Sequence, residues 1–215
     1  MLKGLRAVIF DNDGTVANTR KSIVAGMEHV IGTYLKVDPK EIDYLKWIGL
    51  PLEDQMPKFT TDISLQKVMV QAYRDFDAIN HSKLLEKFDG CEQCLCKLNS
   101  GGLKLGIATS KLATRCEAGL EQLGIRQYMT EIVGVEHTKL HKPNPEPILH
   151  CANLLGEKIE NCAYVGDAPF DIQAANAARC ISIGVTWGFF TKEDLKAYKP
   201  DYIVNSFEEL SDLLL

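Results

Sequence analysis

Residues 5–15 read Leu-Arg-Ala-Val-Ile-Phe-Asp-Asn-Asp-Gly-Thr, a short apolar run that ends abruptly in two aspartates and a glycine. The apolar run predicts a buried strand, and side chains two residues apart in an extended chain project to the same side. We therefore expect Asp11 and Asp13 to face one pocket beyond the carboxyl end of this strand. Two carboxylates so close together are costly unless a cation or a proton lies between them. Gly14 allows the chain to turn away immediately afterwards.

Further short apolar runs follow along the chain, and most are separated by stretches with apolar residues at helical spacing. The predicted strands cover residues 5–10, 103–108, 132–135, 163–165, 181–185 and 202–204. Regular alternation of strand and helix predicts an α/β fold, a doubly wound parallel sheet with a Rossmann-like core.

The interval between the first two predicted strands contains no convincing strand but two apolar stripes at helical spacing. The stripes consist of Ile23, Met27, Val30, Ile31, Tyr34 and Leu35, and of Leu65, Val68, Met69, Ala72, Phe76 and Ile79. Because such stripes must be buried against something, we expect a small helical bundle inserted into the core. The sequence thus predicts an α/β core of residues 1–16 and 86–215 and a helical cap of residues 17–85.

The composition is that of a globular protein, because 46% of the 215 residues are hydrophobic and 25% are charged. These values exclude disordered, collagen-like and coiled-coil chains. The net charge of -5 provides no positive field for a phosphate backbone, so no nucleic-acid partner is expected. No apolar run approaches the ~18 residues of a membrane span, and no signal-peptide-like region opens the sequence. We therefore expect a cytoplasmic protein without a membrane partner.

The seven cysteines are an odd number in a chain that does not need disulfides for stability, so reduced thiols are expected. Cys91, Cys94 and Cys96 raise the alternative of a zinc site. Neither a second Cys-x-x-Cys nor a spaced pair of histidines completes four ligands, which favours thiols packed along a helix.

Polar side chains follow two further predicted strands. Thr109 and Ser110 offer a hydroxyl and helix-start amides, a combination that binds anions. Asp167 and Asp171 are four residues apart, the spacing of one helical face. Each group alone has an ordinary explanation as a turn or a helix cap. Ligands of open α/β sheets bind beyond the carboxyl ends of the strands, however, so the convergence of these groups predicts a functional site.

The predicted site is rich in oxygen ligands and has no histidine or cysteine, which suits Mg²⁺ rather than zinc. A phosphoryl group is the natural anion to join such a site. Lys142, within the sequence His-Lys-Pro-Asn-Pro of residues 141–145, supplies a cation from a predicted loop.

In this order, the segments resemble the four motifs of the haloacid dehalogenase-like hydrolase superfamily. The matching motifs are Asp11-x-Asp13-Gly14-Thr15, Thr109, Lys142-Pro143 and Gly166-Asp167-x-x-x-Asp171. An insertion directly after the first motif is similar to the helical cap of that family. Within it, the sequence looks most like the phosphoglycolate phosphatases, through Ile48-Gly49-Leu50-Pro51, Gly184-Val185-Thr186-Trp187-Gly188-Phe189 and Pro200-Asp201-Tyr202-Ile203-Val204.

The resemblance implies a role for each catalytic candidate. Asp11 would attack phosphorus and form an aspartyl-phosphate. Asp13 would protonate the leaving oxygen and later activate water. Thr109 and the Ser110 amide would hold phosphoryl oxygens, while Lys142 would offset negative charge.

The resemblance also implies a Mg²⁺ cofactor and a small phosphorylated metabolite as the partner. The metal would be bound by Asp11, the backbone carbonyl of Asp13 and Asp167, with Asp171 in support. We expect specificity to depend on residues inserted after the first motif, such as Arg20, Lys21, Lys46 and Trp47.

The acid at Asp13 disfavours a dehalogenase, because halide leaves without protonation. The resemblance therefore implies a phosphoric monoester hydrolase, with phosphoglycolate as the simplest substrate. A β-phosphoglucomutase-like phosphomutase is the main alternative, although Leu52 lies about where its cap arginine would fall. A pyrophosphatase or a nucleotidase is a further alternative, and the choice between monomer and homodimer stays open.

Overall fold

A parallel sheet forms the centre of the molecule, in a computed structural model that describes Leu2 and residues 4–215. The strands are β1 (Ala7–Phe10), β2 (Ala17–Asn18), β3 (Glu86–Lys87), β4 (Lys104–Ala108), β5 (Glu131–Val133), β6 (Cys162–Gly166), β7 (Ile181–Val185) and β8 (Tyr202–Val204). Six of them pair in the order β5-β4-β1-β6-β7-β8, all parallel. The prediction of an α/β fold with a doubly wound parallel sheet is confirmed, and the predicted strands differ from the observed ones only at their ends.

Helices cover both faces of this sheet. They are α1 (Arg20–Val30), α2 (Leu52–Gln55), α3 (Ile63–Leu84), α4 (Cys91–Ser100), α5 (Ala113–Gln122), α6 (Glu146–Leu154), α7 (Pro169–Ala178), α8 (Lys192–Lys196) and α9 (Phe207–Leu214). Val8 and Phe10 of β1 pack in a cluster with α4, α5 and α9, whereas Ala7 and Ile9 pack in another with α6 and α7. Burial on both faces explains why β1 is a continuous apolar run rather than an alternating one.

Residues 17–85, which we call the cap segment, contain α1, α2 and α3. Helix α1 packs against α3, and the segment has its own hydrophobic cluster, which includes Met27, Ile31, Met56 and Met69. The division of the chain into two domains at these boundaries stays a prediction.

A short antiparallel ribbon lies where the chain leaves the sheet for the cap segment and returns from it. Ala17 of β2 pairs with Lys87 of β3, and Asn18 pairs with Glu86. The expectation of helix throughout this interval was therefore wrong at its two ends. Two-residue strands are too short to produce a periodic pattern, which explains why the sequence did not indicate them.

The buried face of α3 differs from the predicted stripe. Val68 and Ile79 are 48% and 64% exposed, whereas Tyr73 and Asp77 are buried. Tyr73 and Asp77 are polar residues that are nevertheless buried. A stripe defined by apolar residues alone therefore does not include them. The stripe predicted for α1 does pack as expected, with Met27 fully buried.

All seven cysteines are free thiols, and Cys91 and Cys94 are buried along α4. Over the described part of the chain, no helix combines the length and the apolar character that crossing a bilayer requires.

Candidate active site

The central strand β1 delivers Asp11 to the carboxyl edge of the sheet. The Asp11 amide donates a hydrogen bond of 2.8 Å to the carbonyl of Val165, which fixes its backbone against β6. Its carboxylate is buried, and Oδ1 lies 2.9 Å from the Nζ of Lys142. The same ammonium lies 2.7 Å from Asp171 Oδ1 and donates to the hydroxyl of Tyr164 at 3.2 Å. The structure thus brings the predicted loop lysine to the predicted nucleophile.

Three carboxylates gather beside this lysine. One oxygen each from Asp11, Asp167 and Asp171 lies within 4.8 Å of the others. Burial raises the pKa of Asp11 to about 7 although Lys142 opposes the shift, and burial raises the pKa of Asp167 well above its usual range. Negative charge is therefore under-compensated here. Because oxygen ligands and excess negative charge are what a hard divalent cation requires, the group fits Mg²⁺.

The carboxylate of Asp167 is held in place by two donors. The Thr15 hydroxyl donates to Oδ1 at 3.0 Å, and the Phe189 amide donates to Oδ2 at 2.7 Å. Two glycines make room for it: a Cβ at Gly14 would lie 2.4 Å from Oδ2, and a Cβ at Gly188 would lie 2.1 Å from it. Gly14 also has a φ of +80°, which other residues rarely adopt.

Asp171 mainly positions its neighbours. Its Oδ1 accepts from Lys142 and, at 3.3 Å, from the Tyr164 hydroxyl, while its Oδ2 accepts from the Ala168 amide at 2.9 Å. Asp171 lies in the first turn of α7, but Asp167 lies in the loop before that helix. The expectation that the two acids share a helical face was therefore wrong; the loop, rather than helical periodicity, brings them together.

Asp13 faces the same cavity as Asp11, but its carboxylate is outside the group of three. Its Oδ1 accepts from the Nζ of Lys111 at 2.8 Å and from the Asn12 side chain at 3.1 Å. Burial disfavours the charge on Lys111, yet the carboxylates of Asp13 and Asp77 raise its pKa. Lys111 was not predicted as a site residue, although its position directly after Thr109 and Ser110 was a signal in the sequence.

Thr109 and Ser110 follow β4 and line the cavity. The Thr109 amide donates to the carbonyl of Val133 on β5 at 2.9 Å, and its hydroxyl accepts from the Lys111 amide at 3.2 Å. The Ser110 hydroxyl donates to the carbonyl of Gly49 in the cap segment at 2.7 Å. Polar groups from β1, β4 and β6 thus meet at one edge, as the sequence suggested.

A cavity of about 330 Å³ lies between this edge and the cap segment. On the cap side its lining includes Ile23, Met27, Ile48, Tyr73 and Asp77. The four residues expected to set specificity, Arg20, Lys21, Lys46 and Trp47, are not part of the lining. Whether any of the four affects specificity stays a prediction, because the sequence does not determine the orientation of these side chains.

Comparison with known proteins agrees with this architecture. A family model described as haloacid dehalogenase-like hydrolase matches residues 8–185. A pyrophosphatase named PpaX from Bacillus mycoides is 31% identical over 210 residues, which cover 98% of this chain and 97% of that protein.

Solved structures with a similar fold cover nearly the whole chain. A predicted phosphatase from Clostridium acetobutylicum is 28% identical with a TM-score of 0.88, and 98% of each chain is covered. A predicted phosphoglycolate phosphatase from Haemophilus somnus has a TM-score of 0.86 over 100% of each chain, and at 20% identity this likeness shows the fold alone. The expectation of a phosphatase agrees with the names of these proteins, and the chain itself belongs to the haloacid dehalogenase-like hydrolase family.

Proposed function

We propose that this hydrolase is a Mg²⁺-dependent phosphatase that cleaves a small phosphorylated metabolite through an aspartyl-phosphate on Asp11. The observation that carries the proposal is the buried arrangement of Asp11, Lys142 and Asp167 at the carboxyl edge of the sheet. A nucleophilic carboxylate, a fixed cation and a second carboxylate for a metal are the groups that phosphoryl transfer needs.

Charge repulsion is the main barrier that the site must overcome. An anionic nucleophile at ~4 Å from a phosphate charge is opposed by about 4 kcal/mol per charge pair at an effective dielectric of ~20. The ammonium of Lys142, 2.9 Å from Asp11, offsets part of this repulsion. Thr109 and the Ser110 amide would hold phosphoryl oxygens, and the position of both residues in the cavity lining beside Asp11 supports this role.

Asp13 is the proposed general acid and base. It shares the cavity with Asp11 but not the three-carboxylate group, so it is available to the leaving oxygen. After the leaving group departs, the same carboxylate would take a proton from the water that attacks the aspartyl-phosphate. Lys111, 2.8 Å from Asp13, adds positive charge on this side of the cavity.

The residues that would hold Mg²⁺ are Asp11, Asp167 and the backbone carbonyl of Asp13, with Asp171 in support. When bound, the ion neutralises charge on the phosphoryl oxygens and on Asp11.

The proposed substrate is a small phosphorylated alcohol of the phosphoglycolate type, which the motifs after β1 and β7 support. Inorganic pyrophosphate is a second candidate, because the named pyrophosphatase matches nearly the whole chain at 31% identity. A phosphomutase is less favoured, since Leu52 lines the cavity and brings no cation to it. We further propose a cytoplasmic location, supported by seven free thiols.

The proposal is tested by phosphate release from glycolate, sugar, nucleotide and pyrophosphate substrates, with Mg²⁺ and with EDTA. Asp11→Asn should lower turnover at least about a thousandfold. Asp43→Asn, which removes an exposed carboxylate, serves as the matched control. Comparable phosphate release by Asp11→Asn and the unmodified enzyme would contradict the mechanism.

A further inference from the structure

Two buried polar residues of α3 line the cap side of the cavity. Asp77 is 8% exposed and Tyr73 is 9% exposed, and they lie one helical turn apart. Neither has a role in the proposed mechanism. Buried polar groups normally have hydrogen-bond partners, so groups without one indicate what a ligand would supply.

Asp77 uses only one of its carboxylate oxygens within the protein. Oδ1 accepts from the Ser22 hydroxyl at 3.1 Å and contacts Nδ1 of His81 at 3.0 Å. Within the described chain no donor reaches Oδ2. Burial opposes ionisation of Asp77, but His81, Lys111 and Ser22 together lower its pKa. The wall therefore presents an ionised carboxylate with a free acceptor.

Two further groups on this wall are unpaired. The Tyr73 hydroxyl has no hydrogen-bond partner among the described residues, and its ring is fixed against Gly26, where a Cβ would lie 2.8 Å from Cε2. Gln55 donates from Nε2 to the carbonyl of Leu50 at 2.7 Å, which determines the orientation of its amide. Its buried Oε1 then has no donor. The wall has more acceptors than donors.

Most cations at the cavity are already paired. Arg74 binds Glu53 at 2.6 Å, and Lys111 binds Asp13 at 2.8 Å. Arg115 is the remaining cation of the lining; it is exposed, where water screens its charge. A second anionic group on the substrate would therefore be repelled by the carboxylate of Asp77. No buried cation without an ion-pair partner lines the described cavity to offset this repulsion.

We propose that Asp77 and Tyr73 are specificity-determining residues that select a leaving group with hydrogen-bond donors, a hydroxyl or an ammonium, on a short carbon skeleton. The apolar neighbours Ile23 and Met27 contact the carbon atoms. This inference rests on the proposed phosphatase function and its aspartyl-phosphate chemistry, but it replaces the phosphoglycolate-type substrate. The free end of the substrate carries a donor rather than the carboxylate of phosphoglycolate or the second phosphate of pyrophosphate.

The test compares four two-carbon phosphates that differ only at the free end: ethyl phosphate, 2-hydroxyethyl phosphate, phosphoethanolamine and 2-phosphoglycolate. Pyrophosphate is added as the second candidate that carries two anionic groups. We expect kcat/KM for the hydroxyl or the ammonium compound to exceed that for ethyl phosphate about ten- to hundredfold, mainly through KM. Phosphoglycolate and pyrophosphate should rank below them. The two donor compounds distinguish a hydroxyl from an ammonium as the group recognised.

Substitutions at Asp77 and Tyr73 test whether these two residues cause the preference for the donor compounds over ethyl phosphate. Asp77→Asn and Tyr73→Phe should each reduce the ratio between the donor compounds and ethyl phosphate. Lys67→Gln removes a charge from the exposed side of the same helix, outside the lining of the cavity, and should retain that ratio. Ethyl phosphate is the internal reference, because a misfolded cap segment would lower its turnover as well.

The inference is overturned if the unmodified enzyme prefers phosphoglycolate or pyrophosphate, or if Asp77→Asn keeps the full preference. Failure of the proposed function has a different signature, namely no phosphate release from any compound. In that case calorimetric titration of the same phosphates into the protein decides the inference separately. Tighter binding of ethyl phosphate or phosphoglycolate than of both donor compounds would overturn it.

Discussion

At the scale of single residues, Lys142 shows how strongly context overrides local sequence. A lysine before proline in a loop is usually solvated, yet this one is almost fully buried between Asp11 and Asp171. The two carboxylates raise its pKa despite burial, so it stays charged. Within the described chain, no other lysine or arginine forms an ion pair with Asp11 or Asp171.

Replacing Lys142 by Met should therefore leave two carboxylates without their cation. We expect a loss of about 3–5 kcal/mol in the free energy of unfolding without metal, because the partners of a broken buried ion pair stay buried. Urea unfolding followed by circular dichroism measures this loss. Lys97→Met, at an exposed position of α4, is the control and should change stability little; equal losses in both variants would refute the assignment.

Gly14 provides a second test at this scale, because its missing side chain leaves the space for Asp167. Gly14→Ala should displace that carboxylate and abolish Mg²⁺-dependent turnover. Gly102→Ala is a matched control: Gly102 has a similar φ of +84° but no atom within 4 Å of its Cβ position. Both alanines would adopt a strained positive φ, so the two variants differ in the close contact with Asp167. Equal activity in the two variants would show that the space beside Asp167 is not required.

Residues at strand ends could be predicted from the sequence, whereas residues across the cavity could not. Asp11, Thr109 and Asp167 follow apolar runs, and parallel strands bring such positions to one edge. Tyr73 and Asp77 carry no comparable signal, because their placement depends on the rotation of α3 about its axis.

At the scale of elements, the contact between α1 and α3 determines that rotation. The ring of Tyr73 lies where a side chain at residue 26 would be, so a glycine is needed for the two helices to approach. The central strands β1, β4, β6 and β7 were predicted nearly to the residue because nearly all of their residues are buried, on both faces of the sheet. The buried face of α3 was predicted wrongly because it includes Tyr73 and Asp77, which the predicted apolar stripe left out.

Gly26→Ala tests this packing. An alanine is favoured over glycine in a helix by about 1 kcal/mol, but the clash with Tyr73 should outweigh that gain and lower the free energy of unfolding by about 1–3 kcal/mol. Gly119 of α5 is the comparison, since a Cβ there meets only ordinary contacts at 3.5 Å or more. Gly119→Ala should stabilise the protein in the same thermal-melting assay. Stabilisation by both substitutions would contradict the packing argument.

At the scale of the whole molecule, the proposed metal binding would be coupled to pH through the buried carboxylates. Asp11 has a pKa of about 7 in the folded protein and 3.8 as its ordinary value. Its contribution to stability is therefore full below about pH 4 and is lost as the pH rises through 7. Mg²⁺ requires the ionised form, so its binding should strengthen over the pH range in which the metal-free site becomes strained.

We accordingly expect Mg²⁺ to raise the Tm more at pH 8 than at pH 6. Thermal melting with Mg²⁺ and with EDTA at both values measures the difference. Asp11→Asn, which cannot ionise, should weaken this dependence. A Mg²⁺ effect that is equal at both pH values in the unmodified protein would contradict the assignment of Asp11 as a ligand.

The ribbon of β2 and β3 has a consequence for how such a molecule can diversify. The chain enters and leaves the cap segment through two adjacent two-residue strands, so both ends of this segment lie side by side in one short ribbon, which we call the stem. The contents of the cap segment can be lengthened, shortened or exchanged without altering the order of strands beneath it. A lineage that preserves this stem can therefore acquire new leaving-group preferences while inheriting the phosphoryl chemistry unchanged.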